Sequence, residues 1–136
     1  MKNKSIAGII VLVTVVVIGL AVFGVFTPTG NTVKTENRQT KEFAIQSFTE
    51  TIDGKYYPQF SQKEISVNKG DFVRIKIKNT KGMHDFKIDE FGVYTETPLN
   101  KERTVEFVAD KAGSFEYYCT KPGHKQNGQW GTLKVN

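Results

Sequence analysis

Between Ser5 and Phe26 the chain runs for 22 residues without a charged side chain. Apart from Ser5 and Thr14 the run is entirely Ile, Val, Leu, Ala, Gly and Phe. As a helix it would reach about 33 Å, against a hydrocarbon core of roughly 30 Å. It has no polar face, which argues against a helix buried in a globular core. No A-x-A-like exit lies between Ala21 and Gly30. The run therefore predicts an uncleaved signal anchor, one transmembrane helix over 5–26, in preference to a removed signal peptide. Lys2 and Lys4 make residues 1–4 a cytoplasmic flank by the positive-inside rule. Everything after Phe26 is then expected on the extracytoplasmic side of the cell membrane, which the chain crosses once. With no cysteine near the end of the run, a lipid anchor at that point is excluded.

Residues 27–40, TPTGNTVKTENRQT, are polar and carry Pro and Gly, as a flexible linker does. Residues 41–136 remain, enough for one domain with a small core. Of the chain's net charge of +5, Lys2, Lys4, Lys34 and Arg38 against Glu36 supply +3, which leaves +2 on this domain. No basic block interleaved with aromatics occurs, so nucleic acid is not an expected partner. The single cysteine rules out an internal disulfide and leaves a free thiol, half of an intermolecular bridge, or a metal ligand.

Residues 41–136 carry the period of strands. In Phe72-Val73-Arg74-Ile75-Lys76-Ile77-Lys78, Val73, Ile75 and Ile77 face one way and the basic residues the other. Ile65-Ser66-Val67 precedes it across the turn Asn68-Lys69-Gly70-Asp71. Thr104 to Val108 alternates again. Phe115-Glu116-Tyr117-Tyr118-Cys119 follows the turn Asp110 to Gly113, with Phe115, Tyr117 and Cys119 inward. Thr132 to Val135 closes the chain, and Glu42 to Thr49 is a first strand. Gly92 to Lys101 reads as a connection. No stretch shows a helical stripe over three turns, so the domain is all-β, a sandwich or barrel.

The chemistry sits at the end. Cys119 and His124 stand with four residues between them across a Pro122-Gly123 turn, and the other histidine, His84, is 35 positions before Cys119. Each has a plain reading when taken alone: Cys119 a small buried hydrophobe, the histidines core or surface residues, Gln129 a surface amide. Their grouping favours a shared ion. Cys119 ends a strand on its inward side, the turn brings the chain back for His124, and Gly128 removes bulk before Gln129. One thiolate, two imidazoles and a weak axial ligand form the set that copper takes in blue-copper sites.

These features together resemble the cupredoxin family of type 1 copper proteins. They are Gly70-Asp71 before an amphipathic strand, His84, Gly113-x-Phe115-x-Tyr117-x-Cys119, and Cys119-x4-His124-x4-Gln129. The resemblance covers Lys41 to Asn136, and its Pro-Gly-His and Gly-Thr-Leu elements are the specific part. It implies a cupredoxin-like Greek-key β-sandwich with one copper ion near one end. His84, Cys119 and His124 would be the equatorial ligands. The axial place, usually Met in the family, falls to Gln129, as in the stellacyanin-like members. Met83, next to His84 on a strand, should point away. An amide oxygen is harder than a thioether and favours Cu(II), so a lower reduction potential is expected than with Met. Asp85 stands where the family often has Asn. Its carboxylate would accept from the hydroxyl or amide of Thr120, or it is a solvated strand-end residue.

The expected function is an electron carrier with weak, transient redox partner proteins, not an enzyme. His124 would give the electron an exit, ringed by Pro122, Gly123 and Trp130. A binuclear oxidase-type centre needs two bridging cysteines, and a catalytic copper needs further histidines; the chain has neither. A triad hydrolase would need a cysteine or histidine unclaimed by metal. Two other readings stay open: copper capture and delivery on the same fold, and a metal-free sandwich serving as an interaction module.

Overall fold

Val73, Ile75 and Ile77 are fully buried while the lysines and arginine between them reach the surface. This alternation recurs in most of the nine strands of a computed structural model, which describes residues 38–136. The predicted anchor and most of the linker lie outside the described residues. Among those described, no helix is long and apolar enough to cross a membrane.

The strands are β1 (Thr40–Ile52), β2 (Lys55–Phe60), β3 (Glu64–Val67), β4 (Phe72–Asn79), β5 (His84–Ile88), β6 (Val93–Thr97), β7 (Glu102–Val108), β8 (Gly113–Tyr118) and β9 (Trp130–Val135). They form a four-stranded sheet in the order β2-β1-β4-β7 and a five-stranded sheet in the order β3-β9-β8-β5-β6. Two pairings, β1 with β4 and β3 with β9, are parallel. Their inner faces meet in one core, in which Ile45, Ile75, Ile77 and Phe107 oppose Phe86, Ile88, Tyr117 and Leu133. Phe60, Phe86 and Tyr117 pack ring against ring near its centre, with centroids 5.5–5.8 Å apart. Burying such side chains is worth roughly 1.5–3 kcal/mol each and holds the sheets together without a disulfide.

The all-β cupredoxin-like sandwich expected from the sequence is the observed fold, with three differences in its elements. The stretch Gly92–Lys101, read as a connection, contains the edge strand β6, paired with β5 from Ile88↔Val93 to His84↔Thr97. Its alternation is hidden because Tyr94 faces water and polar Thr97 is the inward residue. β2 was not anticipated, since Pro58 interrupts its pattern. It is an edge strand, where proline is tolerated. β1 is also longer than Glu42–Thr49. It begins at Thr40, opposite Phe72, and runs on into the hairpin with β2 beyond the last β4 partner, Ser47↔Asn79.

Candidate metal centre

His84 is the first residue of β5 and is 1% exposed, whereas its neighbour Met83, just ahead of the strand, is 74% exposed. Gly82 fixes this entry. It has φ +101°, and a Cβ there would lie 2.7 Å from both His84 Nε2 and Thr49 Oγ1. The turn can therefore sit against the imidazole only with glycine at 82. His84 Nε2 lies 2.8 Å from the Lys81 carbonyl and 3.1 Å from Thr49 Oγ1. A carbonyl only accepts, so Nε2 carries the proton and Nδ1 keeps a free lone pair.

Cys119 follows β8 and is buried; its backbone N–H donates to the Gln129 carbonyl at 3.1 Å. The loop between them is knitted by its own backbone. His124 donates to Lys121 (3.0 Å), Asn127 to Gly123 (3.0 Å), Gly128 to Lys125 (3.1 Å) and Gln129 to His124 (2.9 Å). Gly128, with φ +106°, passes so close to Gln59 that a Cβ would meet its Nε2 at 2.9 Å. The space that the sequence pattern assigned to this glycine is used in that way.

The loop returns His124 Nδ1 to the other donors. It lies 3.2 Å from His84 Nδ1, 3.4 Å from Cys119 Sγ and 3.0 Å from Gln129 Oε1. The donor atoms of His84, Cys119 and His124 all fall within 4.8 Å of one another. Gln129 is fully buried. Its Nε2 donates to Ser47 Oγ at 2.8 Å and to the Gln59 carbonyl at 3.3 Å, so the oxygen of the amide faces the cluster. All four side chains expected from the sequence thus converge on one point, and each presents an atom with a free lone pair or a removable proton.

Burial governs the protonation of this cluster. It holds the His84 imidazolium below its ordinary range, helped by the nearby His124 and opposed by the Lys81 carbonyl. It pushes the Cys119 thiol up to about 11, opposed by backbone N–H groups of Asp85 and Lys121. At neutral pH the metal-free site is therefore a thiol with a neutral His84, and metal binding must release the thiol proton.

Asp85 is not a solvated strand-end residue. It is fully buried, accepts from Thr120 N–H at 2.6 Å and from the Thr120 hydroxyl at 2.5 Å, and its own N–H points at Cys119 Sγ at 3.5 Å. Lys121 Nζ stands 3.7 Å from its carboxylate. This ties the start of the ligand loop to β5. Ser47, Thr49, Asn79 and the Lys81 carbonyl were not anticipated as parts of the site. The signal for two of them was present: Ser47 and Asn79 occupy the inward place at the ends of the apolar series Phe43-Ile45 and Val73-Ile75-Ile77.

Beside His124 opens a cleft of about 480 Å³ lined by Thr49, Tyr56, Lys81, Gly82 and Met83. Trp130, expected near His124, borders a different cleft with Gln59, Lys63, Gly128 and Thr132.

The family model for the cupredoxin-like domain matches residues 16–133. The chain belongs to the cupredoxin-like family. The metal that its soft, buried donor set accommodates is copper, which sets aside the metal-free reading. Among solved structures, the fold is similar to auracyanin from the photosynthetic bacterium Roseiflexus castenholzii, at TM-score 0.59 and 20% identity, over 72% of this chain and 98% of that one. It is also similar to the copper nitrite reductase of Nitrosomonas europaea (TM-score 0.63, 20% identity, 72% of this chain and 42% of that one). A third likeness is to the blue copper oxidase of Nitrosomonas europaea (TM-score 0.56, 23% identity, 72% and 39%). This cupredoxin-like chain thus spans nearly all of auracyanin but less than half of either enzyme chain. At these identities the likeness is one of fold, shared by the two enzymes and by auracyanin.

Proposed function

We propose that this protein is a membrane-tethered, extracytoplasmic electron carrier, and not an enzyme. Its ligands would be His84, Cys119, His124 and, at the axial place, Gln129. Bound copper supplies a one-electron couple between Cu(II) and Cu(I). The residues supply a site that need not rearrange. His84 is held by the Lys81 carbonyl, Gln129 by Ser47 and Gln59, and the Cys119 loop by Asp85. That prior fixing of His84, Gln129 and the Cys119 loop is the observation that carries the reading. Both histidines and the only cysteine of the chain are in this one cluster, so none remains for a second copper centre. The amide oxygen of Gln129, harder than a thioether, favours a low potential. His124 offers its outer ring edge to the cleft bordered by Tyr56 and Met83, a small patch suited to weak docking of redox partners. The 22-residue uncharged run supports the tether.

The test is electrochemical. The copper-loaded chain is expected to give a reversible one-electron wave and to keep its copper through repeated cycles in the presence of a chelator. A second reading, copper capture and delivery, draws on Met83, a soft thioether that is 74% exposed on the cleft at His124. Ready loss of copper to the chelator, without a reversible wave, would select it. Recovery of the chain in the soluble fraction would remove the tether.

A further inference from the structure

Every ligand of the site comes from the five-stranded sheet or its loops, yet a residue of the other sheet controls how one of them is presented. Asn79 ends β4, is fully buried, and stands opposite Ser47 in the β1–β4 pairing. Its amide is spent on one turn and one neighbouring strand. Nδ2 donates to the Gly82 carbonyl at 2.9 Å and to the Thr97 carbonyl at 2.7 Å, while Oδ1 accepts from Lys81 N–H at 3.1 Å. Thr97 is the register partner of His84. Asn79 therefore clamps the 80–83 turn at Lys81 and Gly82 and fastens it to the strand beside β5. The Lys81 carbonyl, whose own residue's N–H is held by Asn79, is the group that takes the Nε2 proton of His84 at 2.8 Å.

We propose that Asn79 is a positioning residue for His84: by fixing the 80–83 turn it aims the Lys81 carbonyl at Nε2, and so selects the tautomer whose Nδ1 lone pair faces His124 before metal arrives. Thr49 Oγ1, at 3.1 Å, is the competing partner of the same nitrogen, but a hydroxyl can donate or accept and so selects neither tautomer. A buried imidazole with only that partner is free to place its proton on Nδ1, where it blocks coordination.

The inference rests on His84 being a ligand, and the experiment separates the two claims. The chain has two histidines, so ¹⁵N-histidine labelling of the full chain yields only two ring systems. Long-range proton–nitrogen spectra of the copper-free chain then show which nitrogen carries each proton. The native His84 is expected as a single Nε2–H tautomer. Asn79→Ala should give a measurable Nδ1–H population and a copper affinity about 10–100-fold weaker. Val73→Ala, which opens the core on the same strand without touching the turn, should leave both unchanged. Thr49→Val should keep the native tautomer, and this variant decides between carbonyl and hydroxyl even if Asn79→Ala does not fold. The proposal is overturned by a folded Asn79→Ala with native tautomer and affinity, by the same effects in Val73→Ala, or by loss of the tautomer in Thr49→Val. The ligand claim has its own control: His84→Ala with an unaltered copper spectrum would remove His84 from the site, whatever Asn79 does.

Discussion

In the proposed site Gln129 would take the axial place, and its surroundings suit an amide. Ser47 and the Gln59 carbonyl both take its nitrogen, leaving the oxygen toward the histidines and the cysteine. A methionine there would leave Ser47 without that partner and present a softer atom. Gln129→Met should therefore raise the reduction potential, measured by voltammetry on the copper-loaded chain; an unchanged or lower potential would remove Gln129 from the axial place. The other single-residue consequence concerns protons. In the copper-free fold the Cys119 thiol is raised from 9.0 to about 11, so folding favours the neutral thiol. Its contribution is whole below pH 9 and is lost as pH rises through 11. His84 is shifted down from 6.5, so folding favours the neutral ring; its contribution is whole above pH 6.5 and fades as pH falls through the lowered value. Chemical denaturation of the copper-free chain should show a plateau between about pH 6.5 and 9. A fall of about 1–3 kcal/mol is expected on the alkaline side, and one in the same direction on the acid side. In Cys119→Ser the part of the alkaline fall that sets in near pH 9 should be missing, leaving only the later loss from buried Tyr117, whose hydroxyl burial shifts upward from 10.0.

At the level of elements, the ligand loop between β8 and β9 is the part that must stay still. Its own turns hold it internally, and Asp85 joins it to β5 through two hydrogen bonds to Thr120. Asp85→Ala removes both while sparing every ligand. Copper should leave this variant about 10–100-fold faster, followed by transfer to a chelator; native retention would show that the loop's own turns suffice. The strands that carry His84 and lead into Cys119 could be read from the sequence because their inward residues are apolar, Phe86 and Ile88 after His84, and Phe115 and Tyr117 before Cys119. β2 and β6 could not. Both are edge strands, one interrupted by Pro58 and the other turning Thr97 inward, and an edge strand needs only one face to fit. The ligands themselves were legible because cysteine and histidine are so scarce in this chain that their spacing carries the information. The groups behind them were not. Ser47 lies 82 residues from Gln129 and Asn79 lies on the opposite sheet from His84, so their purpose is visible only once the two sheets are packed. What the sequence did display was the break each makes in an apolar series.

The whole molecule divides its work between two sheets. One brings the ligands together at its end, and the other closes the core and contributes the buried Ser47 and Asn79 and the half-buried Thr49 behind them. The cleft at His124 lies on this same end, bordered by Tyr56 from the β1–β2 hairpin and by Met83 from the turn before β5. All of this depends on one ion held by one cysteine and two histidines. The most direct test is a titration of the metal-free chain with Cu(II), read by visible absorption and electron paramagnetic resonance, alongside Cys119→Ser. The expected result is one copper per chain with an intense sulfur-to-copper charge-transfer band that the substitution abolishes. A spectrum with only weak copper absorption, identical in the native chain and in Cys119→Ser, would contradict the account.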